Sequence, residues 1–274
     1  MSFRMFVPLV LLAVSACSGE SAEKEGGEPE AAASAGAGGA TATASSSATG
    51  GGAKSVKDEN DLYNFSYSYP AEAGAIPALA AQLDADLAAS RMELVAEARE
   101  AKDDAESNGF PYNPHYFSEE WKVVANLPGW LSLTGDFSTY TGGAHGMYGL
   151  ESLVWDKKVG RGFPAIEMFE SPEALDAALG DRLCQALDRE RAKRREGAPK
   201  GQFLDEFEKC VGVDEATVLV GSANGRTFNR IGVWFGPYVA GPYAEGAYEL
   251  NFAVDGAVLE TVKPAYRPAF SIKR

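Results

Sequence analysis

In residues 62–69, aromatic positions alternate with polar ones: Tyr63, Phe65, Tyr67 and Tyr69 share one face, with Asn64, Ser66 and Ser68 between them. A period of two predicts a half-buried strand. From Pro77 the period lengthens. Leu79, Leu83, Leu87, Leu94 and Ala98 recur at helical spacing, and no Gly or Pro intervenes until Gly109. This pattern predicts an amphipathic helix of about seven turns, with Pro at its start and Gly past its end. After a Pro-containing loop over 110–115, apolar alternation predicts strands at 121–127, 130–140 and 149–156, the first two joined by a Pro128-Gly129 turn. Ser171-Pro172-Glu173 opens a second helix, in which Leu175, Leu179, Leu183 and Leu187 repeat every fourth residue. A short helix is expected at 203–209. Strands at 217–221 and 226–235 flank the hairpin signal Asn224-Gly225, and strands at 247–253 and 258–262 flank Asp255-Gly256. The order indicates an α+β fold, with antiparallel sheets and two main helices. No repeat of fixed period is present.

Composition divides the chain before it describes it. The 274 residues carry 25 Lys plus Arg against 39 Asp plus Glu, a formal charge of −14. Residues 1–17 hold one charge, Arg4, then an apolar run and the small residues before Cys17. The run is too short to span a bilayer as a mature helix and reads as a secretory signal. Val14-Ser15-Ala16-Cys17 resembles the bacterial lipobox, in which the cysteine is acylated and becomes the new N-terminus. Ser18 after that cysteine resembles the outer-membrane sorting pattern. The expected location is therefore lipid-anchored at the outer membrane, with the domain in the periplasm. Residues 18–53 contain no Val, Ile, Leu, Met, Phe, Trp or Tyr. Such a segment cannot build a core, and it is expected to be a disordered tether with a reach of roughly 33 Å. Leader and tether contribute +1 and −4, which leaves −11 for residues 54–274. An acidic domain is a poor ligand for phosphate backbones, so nucleic acid is excluded as a partner.

Export places Cys184 and Cys210 in an oxidising compartment, where an even pair reads as a disulfide; a metal site competes, but no His lies near either one. The cations Arg191, Lys193, Arg194 and Arg195 fall in the last turns of the second helix, where they complement its dipole. An anion site is the competing reading. Known catalytic signatures are missing: no HExxH, P-loop, G-x-G-x-x-G or G-x-S-x-G occurs, and the only histidines are His115 and His145. A carboxylate pair such as Asp136 with Glu151 is conceivable on paper. Neither cofactor nor metal is expected.

Two stretches stand out. Tyr140-Thr141-Gly142-Gly143-Ala144-His145-Gly146 places a lone imidazole in a Gly-rich loop. It reads either as a ligand loop or as a turn whose imidazole satisfies buried backbone groups. Pro237-Tyr238 through Pro242-Tyr243-Ala244-Glu245-Gly246 reads as a rigid aromatic projection suited to recognition, or as a packed crossover.

Together with Phe163-Pro164-Ala165-Ile166-Glu167-Met168-Phe169, these stretches resemble an extracytoplasmic module with a PdaC-type N-terminal part (54–157) and an RsiV-type C-terminal part (158–274). In that family the module accompanies a peptidoglycan deacetylase in one architecture. In another it forms the lysozyme-sensing ectodomain of a sigma-factor inhibitor. The sequence departs from both patterns: it has no T-F-D-D or H-x-x-x-H motif and no transmembrane or cytoplasmic signalling segment. The resemblance implies a non-enzymatic binding module whose surface is formed by Tyr140, Gly142, Gly143, His145, Pro237, Tyr238, Pro242 and Tyr243. The partner it implies is a lysozyme-like muramidase, sensed or inhibited. The alternatives are a peptidoglycan-binding accessory module and, third, a glycan-amide hydrolase.

Overall fold

The computed structural model describes residues 51–196 and 205–272. The leader, Cys17 and the tether up to residue 50 lie outside the described residues, as do residues 203 and 204 of the short helix expected at 203–209.

Six strands form the first sheet in the order β1-β2-β3-β4-β5-β6: β1 (Lys54–Glu59), β2 (Tyr63–Tyr69), β3 (His115–Asn126), β4 (Trp130–Tyr140), β5 (Met147–Asp156) and β6 (Arg161–Phe163). The short turn α1 (Ala71–Gly74) leads into α2 (Pro77–Asn108), which ends on Gly109 in the left-handed region at φ 71°. At 32 residues α2 makes about nine turns rather than seven. The hydrophobic stripe stops at Ala98, while the polar last turns continue until glycine breaks the helix. Leu79, Leu83, Leu94 and Ala98 are buried against the alternating aromatic face of β2 and against Trp121, Leu131, Leu133, Leu153 and Trp155. Because this long helix intervenes, β2 and β3 can pair parallel. A parallel pair requires such a crossover, and every other pairing in the sheet is antiparallel. The edge strand β1, not anticipated from the sequence, is tied to α2 by ion pairs of Asp58 with Arg91 and of Lys54 with Asp84, the latter at 2.6 Å.

The second sheet is antiparallel, in the order β7 (Thr217–Gly221), β8 (Arg230–Phe235), β9 (Tyr248–Ala253). Its inward face, including Val220, Ile231, Val233, Phe235 and Leu250, shares a core with the leucines at 175, 179, 183 and 187. That leucine stripe is carried by two helices rather than one. The chain breaks between α3 (Pro172–Leu179) and α4 (Asp181–Arg194) at Gly180, whose φ of 54° and ψ of −144° end one helix and start the next. Ser171 caps α3 by accepting from the Ala174 amide at 3.1 Å. Residues 258–262, expected as a strand, fall largely in the helix α5 (Gly256–Thr261). Asp255 is its N-cap, accepting from Val258 N at 3.0 Å, so the Asp-Gly pair starts a helix instead of a hairpin. Residues 226–229 belong to the loop before β8, and the described part of 203–209 is a 3-10 turn, Asp205–Glu208. The fold is α+β, as the element order indicates.

Cys184 and Cys210 form a disulfide with a Cα–Cα distance of 5.2 Å. Closing a loop of 26 residues stabilises by about 3.5 kcal/mol in the chain-entropy model. Among the described residues, no helix is long and apolar enough to cross a membrane.

Candidate functional site

Tyr140 closes β4, and Met147 opens β5 seven residues later. Between them Gly142 and Gly143 adopt φ of 100° and 88°, a region that side-chain-bearing residues avoid. Nothing lies within 4 Å of either position where a side chain would start, so conformation and not space demands glycine there. The Tyr140 hydroxyl donates to Gly143 O at 3.1 Å and stabilises the turn, and the Tyr140 ring stacks on Tyr116 with centroids 5.9 Å apart. At Gly146 the reason is different: a Cβ would collide with the Tyr116 hydroxyl and the Thr139 carbonyl.

His145 is exposed, so its imidazole does not satisfy buried groups. Its Nδ1 donates to Gly146 O at 2.9 Å, since a carbonyl can only accept. That assignment frees Nε2 to accept from the Tyr238 hydroxyl at 3.3 Å. The imidazole lies on the Tyr243 ring, with centroids 4.0 Å apart and planes 23° apart. Tyr243 donates to Gly146 O at 2.8 Å, meets Tyr238 at 5.6 Å and meets Tyr148 edge-on at 6.1 Å. The two stretches singled out from the sequence, some ninety positions apart, thus assemble one aromatic cluster. Tyr140, Gly142, Gly143 and His145 come from the first loop, and Tyr238 and Tyr243 from the second. Pro237 is buried within the loop, while Pro242, like Tyr243, is half-buried. Tyr116 and Tyr148 were not anticipated. Their only signal is an aromatic at a strand position that faces away from the α2 core.

Tyr238 is 49% exposed and sits at φ 69°. A non-glycine side chain in this region is strained, and it persists only where the surroundings enforce it. The local turn, closed by Val239 N–H donating to Gly236 O at 3.2 Å, accommodates this φ, while α4 and its C-cap Arg195 fasten the rest of the loop. Arg191 donates through Nε to Ala240 O at 2.9 Å and through Nη1 to Lys209 O at 2.8 Å. Arg194 donates to Glu245 O at 2.5 Å, its guanidinium 3.9 Å from the Tyr248 ring centroid. Arg195 grips the Glu245 carboxylate with two bonds, at 2.8 and 3.0 Å. Tyr248 donates to the same carboxylate. The basic cluster is therefore structural, but its task is to fasten the Pro-Tyr loop rather than only to complement the helix dipole.

The remaining chemical candidates are scattered. His115 is buried at the start of β3, and burial lowers its pKa. Asp136 and Glu151 lie on opposite faces of the first sheet. Glu151 pairs across the strands with Gly135, one position from Asp136, whose carboxylate meets Lys122 at 3.1 Å. Among the described residues, no group of three or more His, Cys, Asp or Glu side chains could hold a metal ion.

Residues 56–148 match the family described as Deacetylase PdaC, about a third of the chain. Two solved structures of DUF3298 family proteins are similar. One, from Bacteroides fragilis, is 16% identical with a TM-score of 0.51, over 84% of this chain and 98% of that one. The other, from Pseudomonas aeruginosa, is 16% identical with a TM-score of 0.43, over 81% and 97%. At that identity the first speaks to the fold alone. None of the curated proteins matches the chain.

Proposed function

We propose that this chain is a non-enzymatic cell-envelope lipoprotein, anchored through Cys17, whose periplasmic domain binds a basic, lysozyme-like muramidase through the His145–Tyr238–Tyr243 cluster. The observation that carries this reading is the strained and exposed Tyr238, bonded to His145 and packed near Tyr243 in a loop that three arginines fasten. Rigid tyrosines with one polar end are favoured contact residues, because they bury large area at small entropic cost. The RsiV-type pattern of the two loops supports the choice of partner. The domain's charge of −11 would speed encounter with a basic protein.

The test is capture of lysozyme by the purified chain across a salt series. Binding should weaken as salt rises, and Tyr243→Ala should cost roughly tenfold or more in affinity. No capture at low salt would end this reading. The PdaC-type match over 56–148 favours a second one, a peptidoglycan-binding accessory module. Co-sedimentation of the chain with insoluble peptidoglycan, without lysozyme capture, would select it. Turnover of acetylated glycan by the pure chain would instead select the third, a glycan-amide hydrolase.

A further inference from the structure

The outward face of the second sheet does not close on the first. Thr217 donates to Leu150 O at 2.8 Å and ties the sheets together at β7. Beyond that tie a cleft of about 270 Å³ remains, walled by β3, β4 and β5 on one side and by β7, β8 and β9 on the other. Its existence follows from sequence. Gly221 and Gly232 occupy the outward row where neighbouring strands carry side chains, and a Cβ at Gly232 would already press on Leu219 at 3.1 Å. On the opposite wall the register of β3 slips between Val123 and Ala125, and Val124, the extra residue of this bulge, lines the cleft.

The lining is chemically mixed. Trp234 is half-buried, Arg230 flanks Gly221, Asn251 flanks Gly232 and Glu249 flanks Trp234, while Thr134 and Asp136 face them from the first sheet. Asp136 is committed to Lys122. Among the described residues, the side chains of Arg230, Glu249 and Asn251 have no hydrogen-bond or ion-pair partner. Arg230 and Glu249 stand on neighbouring strands and do not neutralise one another.

These observations select a ligand class. Arg230 and the indole N–H of Trp234 only donate, Glu249 only accepts, and Asn251 and Thr134 do both. An anion would meet two carboxylates and a cation would meet the guanidinium. A polyhydroxylated ring uses donors and acceptors at once, since each hydroxyl offers both. Its C–H face is electron-poor and suits the electron-rich face of an indole. The volume lies near the lower end for small-molecule sites and admits one or two rings.

We infer that the cleft between the two sheets is a saccharide site, taking a neutral mono- or disaccharide through Trp234, Asn251, Glu249 and Arg230. The site is separate from the Tyr238–Tyr243 cluster and stands or falls without it. The experiment titrates the purified full chain with cellobiose and N,N′-diacetylchitobiose, with a uronic-acid disaccharide as the anionic control, following tryptophan fluorescence and the Trp234 indole N–H resonance. Saturable perturbation by a neutral disaccharide is expected, weakened roughly fivefold to tenfold by Asn251→Ala and by Glu249→Gln, both at exposed positions that leave the core intact. Tyr243→Ala should leave it unchanged. No perturbation of Trp234 by either neutral sugar at about 10 mM, a strength at which even feeble sites fill, overturns the proposal. Equal binding by both cleft variants, or stronger binding of the uronic acid, overturns it as well.

Discussion

Glu245 shows how much a single carboxylate can carry in this fold. It is almost buried, and Arg195 beside it is equally so, with 9% and 8% of their side chains exposed. Burial by itself pushes the Glu245 carboxyl up. The hydrogen bonds from Arg195 and Tyr248 and the charges of Arg195 and Arg191 outweigh it, and the net pKa falls below the ordinary 4.5. A carboxylate with a lowered folded pKa contributes stability that is complete above its unfolded value and is lost as pH falls through the folded one. Urea midpoints measured from pH 7 down to pH 3 should therefore decline below about pH 4.5. Glu245→Ala should flatten that decline and cost about 3–5 kcal/mol at neutral pH, because it strands the Arg195 guanidinium in the interior. Unfolding curves for both proteins at each pH check the sign and the size. At the same scale, Tyr238 shows a position where side-chain chemistry is kept against the backbone's preference.

The helices show where local pattern and element part company. Leucines every fourth residue from 175 to 187 predict one continuous helix, and all four are indeed buried in one core. The stripe survives the break because both helices bury their leucines in one core, α3 packing on α5 and α4 on β9. What divides them is Gly180, whose backbone angles are nearly reserved for glycine. Gly180→Ala is expected to destabilise by about 1–3 kcal/mol, read from the thermal midpoint. An unchanged midpoint would mean that the helices merge without loss. Asp255-Gly256 makes the companion point. The pair suits a hairpin and an N-cap alike, and the Val258 amide, not the dipeptide, decides.

Across the whole molecule, the proposed function joins charge to attachment. The acidic domain would attract basic proteins wherever it is held, and the proposed attachment through Cys17 would decide where that is. Cys17→Ser should release the protein from the membrane fraction into the soluble periplasmic fraction without altering the folded domain's thermal midpoint. Fractionation and blotting check the first part and melting of the purified protein the second. A variant that stays with membranes would show that the cysteine is not the anchor. The disulfide acts at this scale too, joining α4 to the segment that precedes β7. Arg191 reaches the Lys209 carbonyl beside it, so the crosslink and the loop clamp share one support.

Sequence alone determined the periods of two and of roughly four, because side-chain direction alternates along a strand and recurs each turn along a helix. It thereby determined β2, α2, most of the antiparallel strands and the α+β class. It also marked both Gly-rich loops, since positive φ and Pro-Tyr steps leave a trace in composition. Tertiary structure alone decided that the two loops form one cluster, that His145 lies exposed on Tyr243, and that three arginines serve the Pro-Tyr loop. It alone decided the parallel pairing of β2 with β3 and the cleft over Gly221 and Gly232. These are contacts between residues distant along the chain, and local periodicity carries no term for which distant face a side chain will meet.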